Sequence, residues 1–138
     1  LDITAVEREL LPVASVLHAL AFLVPEHDAV KFLEGIPGLE LVVASIRDAR
    51  ARFNGTGPQG KRGKEISVLG RVLPVVSQFD RLMASLQHEA EPITQALGAL
   101  DSERGAWFDP EVVEVFEQMV RSCQDAVAQL YRKEEAQR

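Results

Sequence analysis

Apolar residues recur at helical spacing along nearly the whole chain, and the period-two alternation that marks strands is not sustained anywhere. Val6, Leu10, Val13, Leu17 and Leu20 mark a first helix from about Ala5 to Leu23, which Pro12 bends or restarts, and Thr4 and Glu7 have capping-box spacing at its start. A short helix from about Pro25 to Leu33 stops at Gly35. The Pro37-Gly38 turn launches a third, with Leu39, Val42, Val43, Ile46 and Phe53 on one side, and Asn54-Gly55 ends it. Ser67 is placed to cap a fourth helix carrying Leu69, Val72, Leu73, Val76, Phe79, Met83 and Leu86, which Pro74 should kink. Pro92 fits the first turn of a fifth, to about Leu100. Asp109-Pro110-Glu111 supplies cap, first-turn proline and dipole-favoured acid for the last helix, running to about Arg132. The expectation is an all-α bundle of about six helices in one domain, residues 1–138.

Within the last helix, over residues 110–132, Val113, Phe116, Val120, Cys123, Val127 and Leu130 alternate three and four apart, as in an a/d seam. The stripe either packs on its own domain or pairs with the same helix of a second subunit. Cys123 is the only cysteine, so no internal disulfide can form, and its place on the stripe predicts a buried, unreactive thiol.

Between the third and fourth helices, residues 55–65 hold four glycines and one proline in eleven positions, able to bring backbone close to something. Charge is concentrated around them. The chain carries −6 overall, which argues against general nucleic-acid binding, yet residues 47–71 sum to +5 and the remainder to −11. Arg47, Arg50, Arg52, Lys61, Arg62 and Lys64 are either solvated loop charges or a site for a small anion or an acidic partner surface. No apolar run of about 18 residues spans a bilayer and no signal peptide precedes the first helix, which points to a soluble, cytoplasmic protein with no membrane partner. The chain opens at Leu1 without a methionine and reads as a piece of a longer protein.

Hydrolytic chemistry on a phosphodiester usually uses metal-bound water and therefore clustered His and Asp ligands. His18, His27 and His88 stand far apart, and only His27-Asp28 is an adjacent ligand-capable pair. No nucleophile elbow, Walker loop or dinucleotide fingerprint is present, and Gly55-Thr56-Gly57 is too short to be a phosphate motif by itself.

Several motifs in order nevertheless resemble one family. Gly55-Thr56-Gly57 is followed by Pro58, Gly60, Gly63 and Ile66 in a Pro-x-Gly-x-x-Gly-x-x-Ile frame, then by Arg71-Val72-Leu73 and Phe79-Asp80. Upstream stands Leu33-Glu34-Gly35-Ile36-Pro37-Gly38-Leu39, and downstream Gly105-Ala106-Trp107-Phe108-Asp109-Pro110 with Val113 and Phe116. Over roughly residues 10–120 this is similar to the HD-GYP output domains of bacterial signalling proteins, with the tyrosine of the name skipped. The resemblance implies an HD-domain-like helical bundle, two further helices ahead of Leu1, and a metal-dependent phosphodiesterase ancestry, commonly on cyclic di-GMP.

The positions where that family keeps its metal ligands depart from the pattern. The named His-Asp pair falls at His18-Ala19, the adjacent histidines at about Asp48-Ala49-Arg50, and the helix aspartate at Ser77. His27 is the only candidate remnant of a further ligand, in a segment shortened relative to the family. One imidazole cannot hold a divalent ion that takes four to six ligands. His18 and Ser77 are therefore read as vestigial, with no catalytic residue, metal or cofactor expected. The reading is a catalytically inactive, degenerate HD-GYP-like regulatory module that binds a protein partner or forms a homodimer. The alternatives are a non-catalytic sensor of cyclic di-GMP, using Arg47, Arg50, Lys61, Arg62 and Lys64, and a divergent phosphohydrolase using His18 and His27.

Overall fold

The computed structural model describes residues 4–6, 8, 9, 12 and 26–137. The predicted first helix, with His18, lies almost wholly outside the described residues, although residues 5, 6, 8, 9 and 12 are helical. Six helices follow: α1 (Glu26–Leu33), α2 (Glu40–Arg47), α3 (Val68–Leu86), α4 (Pro92–Ser102), α5 (Pro110–Ser122) and α6 (Gln124–Gln137), with a 3-10 turn at Gly63–Glu65. No strand occurs among the described residues, and no helix among them is long and apolar enough to cross a membrane.

α3 is the spine. Its first half, through Leu69 and Leu73, packs with Val30 and Leu33 of α1 and Val42, Val43 and Ile46 of α2. Its second half, through Val75, Phe79 and Met83, packs with Ala96, Leu97 and Leu100 of α4 and Val112, Val113 and Val120 of α5. The helix runs through Pro74 from Val68 to Leu86, so burial on both sides of the proline outweighs the one missing backbone donor. The sequence-level caps hold at two starts: the Ser67 hydroxyl accepts from the Gly70 N–H (3.2 Å), and the Asp109 carboxylate accepts from the Glu111 N–H (2.9 Å).

Two elements differ from the periodicity. α2 stops at Arg47 rather than continuing toward Phe53, because Asp48 turns its carboxylate to later residues and residues 50–52 carry the glycine loop on their backbone. The last helix is not continuous over 110–132 but breaks at Cys123 (φ −132°, ψ 35°). There the Ser122 hydroxyl and the Cys123 thiol both donate to the Met119 carbonyl, a side-chain competition that weakens the ladder.

The break lets α6 fold back over α3. The Tyr131 hydroxyl donates to Asp80 Oδ1 (2.9 Å), and Phe79 meets Phe116 and Tyr131 edge to face at 5.1 and 6.4 Å. Val113, Phe116, Val120 and Val127 thereby pack within the domain's own core. Leu130 is 63% exposed, and Cys123 is exposed rather than buried, since the break rotates it off the stripe. The uninterrupted seam expected for a second subunit is in large part consumed within the chain.

Candidate functional site: a cleft under the glycine loop

The loop between α2 and α3 is fastened at both of its ends. On one side Asp48, 1% exposed, accepts from Lys61 Nζ (2.6 Å) and from the Ser67 N–H (2.7 Å), joining the end of α2, the loop and the start of α3 through one carboxylate. A side chain at Gly70 would place its Cβ 2.6 Å from the Asp48 Cβ, so only glycine lets α3 begin this close to Asp48. On the other side the Phe53 and Asn54 N–H groups donate to the Trp107 and Ala106 carbonyls (3.0 Å each), and the Phe53 carbonyl accepts from the Gly63 N–H (2.9 Å). Arg71, nearly buried, donates to the Ile66 carbonyl (3.1 Å) and ion-pairs with Asp109 at 2.6 Å, tying the head of α3 to the head of α5.

Gly57 completes the approach. A Cβ there would lie 2.8 Å from the Arg52 nitrogen and 2.9 Å from the Arg50 carbonyl, so the loop lies directly on the backbone of residues 50–52. This contact opens a cleft of about 610 Å³ between the loop, the segment after α2, the 104–108 turn and one face of α3. Arg50, Arg52 and Arg81 reach it, with Ser77 on its α3 wall and Pro58, Pro74, Trp107 and Phe108 as apolar surfaces. Arg52 lies 5.1 Å over the Trp107 ring, and Trp107 stacks on Phe108 at 5.2 Å.

The positions that the family resemblance marked as ligand positions therefore come together, since Ala49, Arg50 and Ser77 all line this cleft. The basic residues named from sequence divide. Arg47 ion-pairs with Glu34, and Lys61 is committed to Asp48, so neither lines the cleft. Arg62 and Lys64 are exposed outside the cleft lining, where the Arg62 N–H donates to the Glu65 carboxylate (2.9 Å) and sets the 3-10 turn. Only Arg50 of the named binding set lines it, joined by Arg52 and by Arg81, which sequence reasoning passed over. The signal for Arg81 was available: Pro74, Ser77, Gln78 and Arg81 follow the three-and-four spacing of one helical face.

A family model for the HD domain matches residues 23–112, well over half of the chain. The chain belongs to the HD-domain family. Among similar proteins, this HD domain is 32% identical over 84 residues to the 3'3'-cGAMP-specific phosphodiesterase 3 of Vibrio cholerae, covering 60% of this chain and 17% of that protein. It is 29% identical over 100 residues to a cyclic di-GMP phosphodiesterase of Thermotoga maritima, covering 71% of this chain and 26% of the relative. A crystal structure of a cyclic GMP-AMP-specific phosphodiesterase of V. cholerae superposes with a TM-score of 0.59 at 26% identity, over 75% of this chain and 26% of that one. The HD domain thus spans about a quarter or less of each relative's length, and the all-α fold agrees with the solved neighbour.

The HD-GYP resemblance implies metal ions, and the donor set of this cleft does not fit them. None of the described residues that line it carries a carboxylate, imidazole or thiol, and its three guanidinium groups repel a cation. Asp48, at a position where a ligand is expected, is buried and spends both oxygens on Lys61 and Ser67. Among the described residues no group of three or more His, Cys, Asp or Glu is placed to hold a metal.

Proposed function

We propose that this HD domain does not hydrolyse phosphodiesters and serves as a regulatory module of a bacterial signalling protein, acting by binding rather than by turnover. The observation that carries the reading is the exchange of chemistry at the family's ligand positions. A hydroxyl (Ser77) and a guanidinium (Arg50) line the cleft, and the nearby carboxylate (Asp48) is consumed by an internal ion pair. Metal-assisted hydrolysis needs open coordination positions on a held cation to generate its nucleophile. Among the described residues these positions offer a cation no free carboxylate or imidazole. What remains is a scaffold whose glycine loop, α3 and the 104–108 turn are rigidly joined, well suited to present a surface to a partner. Incubation with Mn²⁺ or Fe²⁺ and either bis(p-nitrophenyl) phosphate or cyclic di-GMP should give no product above a protein-free control. Turnover that is lost in a Ser77→Ala or His18→Ala variant would overturn the reading.

A further inference from the structure

The basic residues around the glycine loop have two fates. Arg47, Lys61 and Arg71 each face an acid. Arg50 and Arg81 have no hydrogen-bond or ion-pair partner among the described residues, and Arg52 has only the face of Trp107. These three come from different places, two from the segment after α2 and one from α3, yet they meet at one cleft that no carboxylate lines among the described residues. Like charges gathered without counter-charge repel one another, and an anion placed among them relieves that repulsion while accepting from several guanidinium N–H groups at once. A cleft of about 610 Å³ falls within the roughly 300–1,000 Å³ typical of small-molecule sites and is far larger than a bare phosphate requires. Its apolar walls include Pro58, Pro74, Phe108 and the partly exposed Trp107, which suit a flat apolar group, and the Ser77 hydroxyl and Gln78 amide add polar groups on the α3 wall.

We infer that this cleft is a metal-independent binding site for a small organic phosphate, whose phosphate groups are gripped by Arg50, Arg52 and Arg81 and whose flat organic part lies against the proline and aromatic walls. The inference rests on reading the cleft as non-hydrolytic and deepens it by naming the ligand class. Trp107 is the chain's single tryptophan, so an anion that draws Arg52 off its ring changes the protein's indole emission.

The test is a titration of the whole chain with ADP in EDTA at fixed ionic strength, with pyrophosphate and adenosine as parallel arms. ADP should give a saturable emission change, pyrophosphate a weaker one and adenosine none. Arg50→Ala and Arg81→Ala should each weaken ADP binding at least about tenfold, as loss of a charged hydrogen bond does, while leaving the denaturation midpoint in place. Lys64→Ala should leave binding unchanged. No saturable response to ADP at millimolar concentration, or an equal response in the Arg50 and Arg81 variants, would overturn the inference. Pyrophosphate binding as tightly as ADP would overturn its organic part. Because EDTA removes metal from this titration, absent binding counts against this site alone, whereas product formed in the Mn²⁺ assay counts against the non-hydrolytic reading on which it rests.

Discussion

The two sides of the glycine loop use the same basic stretch of sequence for opposite ends. On the buried side, Lys61 with Asp48 and Arg71 with Asp109 pair across the chain and close the structure on itself. On the cleft side, Arg50, Arg52 and Arg81 have no acid partner among the described residues and face outward. The lesson is that positive charge in a sequence window carries no role until its partners are known. An arginine with a buried carboxylate holds the fold together, whereas one without an acid is free to hold something else.

The contrast predicts stability effects on one side and binding effects on the other. Arg71→Met should be the most damaging change, because it strands Asp109 at 5% exposure. Loss of one member of a buried pair costs about 3–5 kcal/mol, read as a lower urea midpoint. Gly70→Ala comes next. Ala gains up to about 1 kcal/mol in helix propensity, but its Cβ would sit 2.6 Å from that of Asp48, and overpacking of about 1–3 kcal/mol should win.

Lys61→Met leaves the Asp48 carboxylate with only the Ser67 N–H. Since Lys61 is itself partly exposed, the expected loss is smaller, about 1–2 kcal/mol. Arg50→Ala and Arg81→Ala should shift stability by no more than about 0.5 kcal/mol, which separates the cleft arginines from the paired ones in a single denaturation series.

The smallest effect belongs to an exposed charge held only by backbone. Backbone N–H groups of Glu40 itself and of Gly38 hold the Glu40 carboxyl below its ordinary range. Its contribution is therefore present above the ordinary carboxylate pKa and lost as pH falls through the depressed folded value. Glu40→Gln should therefore lower stability slightly at neutral pH, flatten the acid limb of the stability curve, and match the parent protein once pH is below the depressed value.

Local signals in the sequence carried far. Ser67 and Asp109 cap where their types and spacing put them, and the period of α3 placed Leu69, Leu73, Phe79 and Met83 in the core. What stayed hidden was the pairing of distant residues. Whether Arg47 or Arg50 meets an acid depends on Glu34, thirteen residues away, and on where α2 ends. The end of α2 depends in turn on Asp48 being captured by Lys61 and Ser67, which no local pattern encodes. The break at Cys123 was equally invisible, because the a/d spacing continues unbroken through it while α6 folds back to set Tyr131 against Asp80. The cleft itself was half legible: the motif order brought Ala49, Arg50 and Ser77 together, but Arg81 entered only through helical geometry one turn beyond Ser77.

The most direct measurement is the metal content of the purified chain after incubation with excess Fe²⁺ or Mn²⁺ and desalting. The exchange of ligands for Arg50, Ser77 and an ion-paired Asp48 predicts no stoichiometric metal. One or two tightly held ions per chain would contradict it.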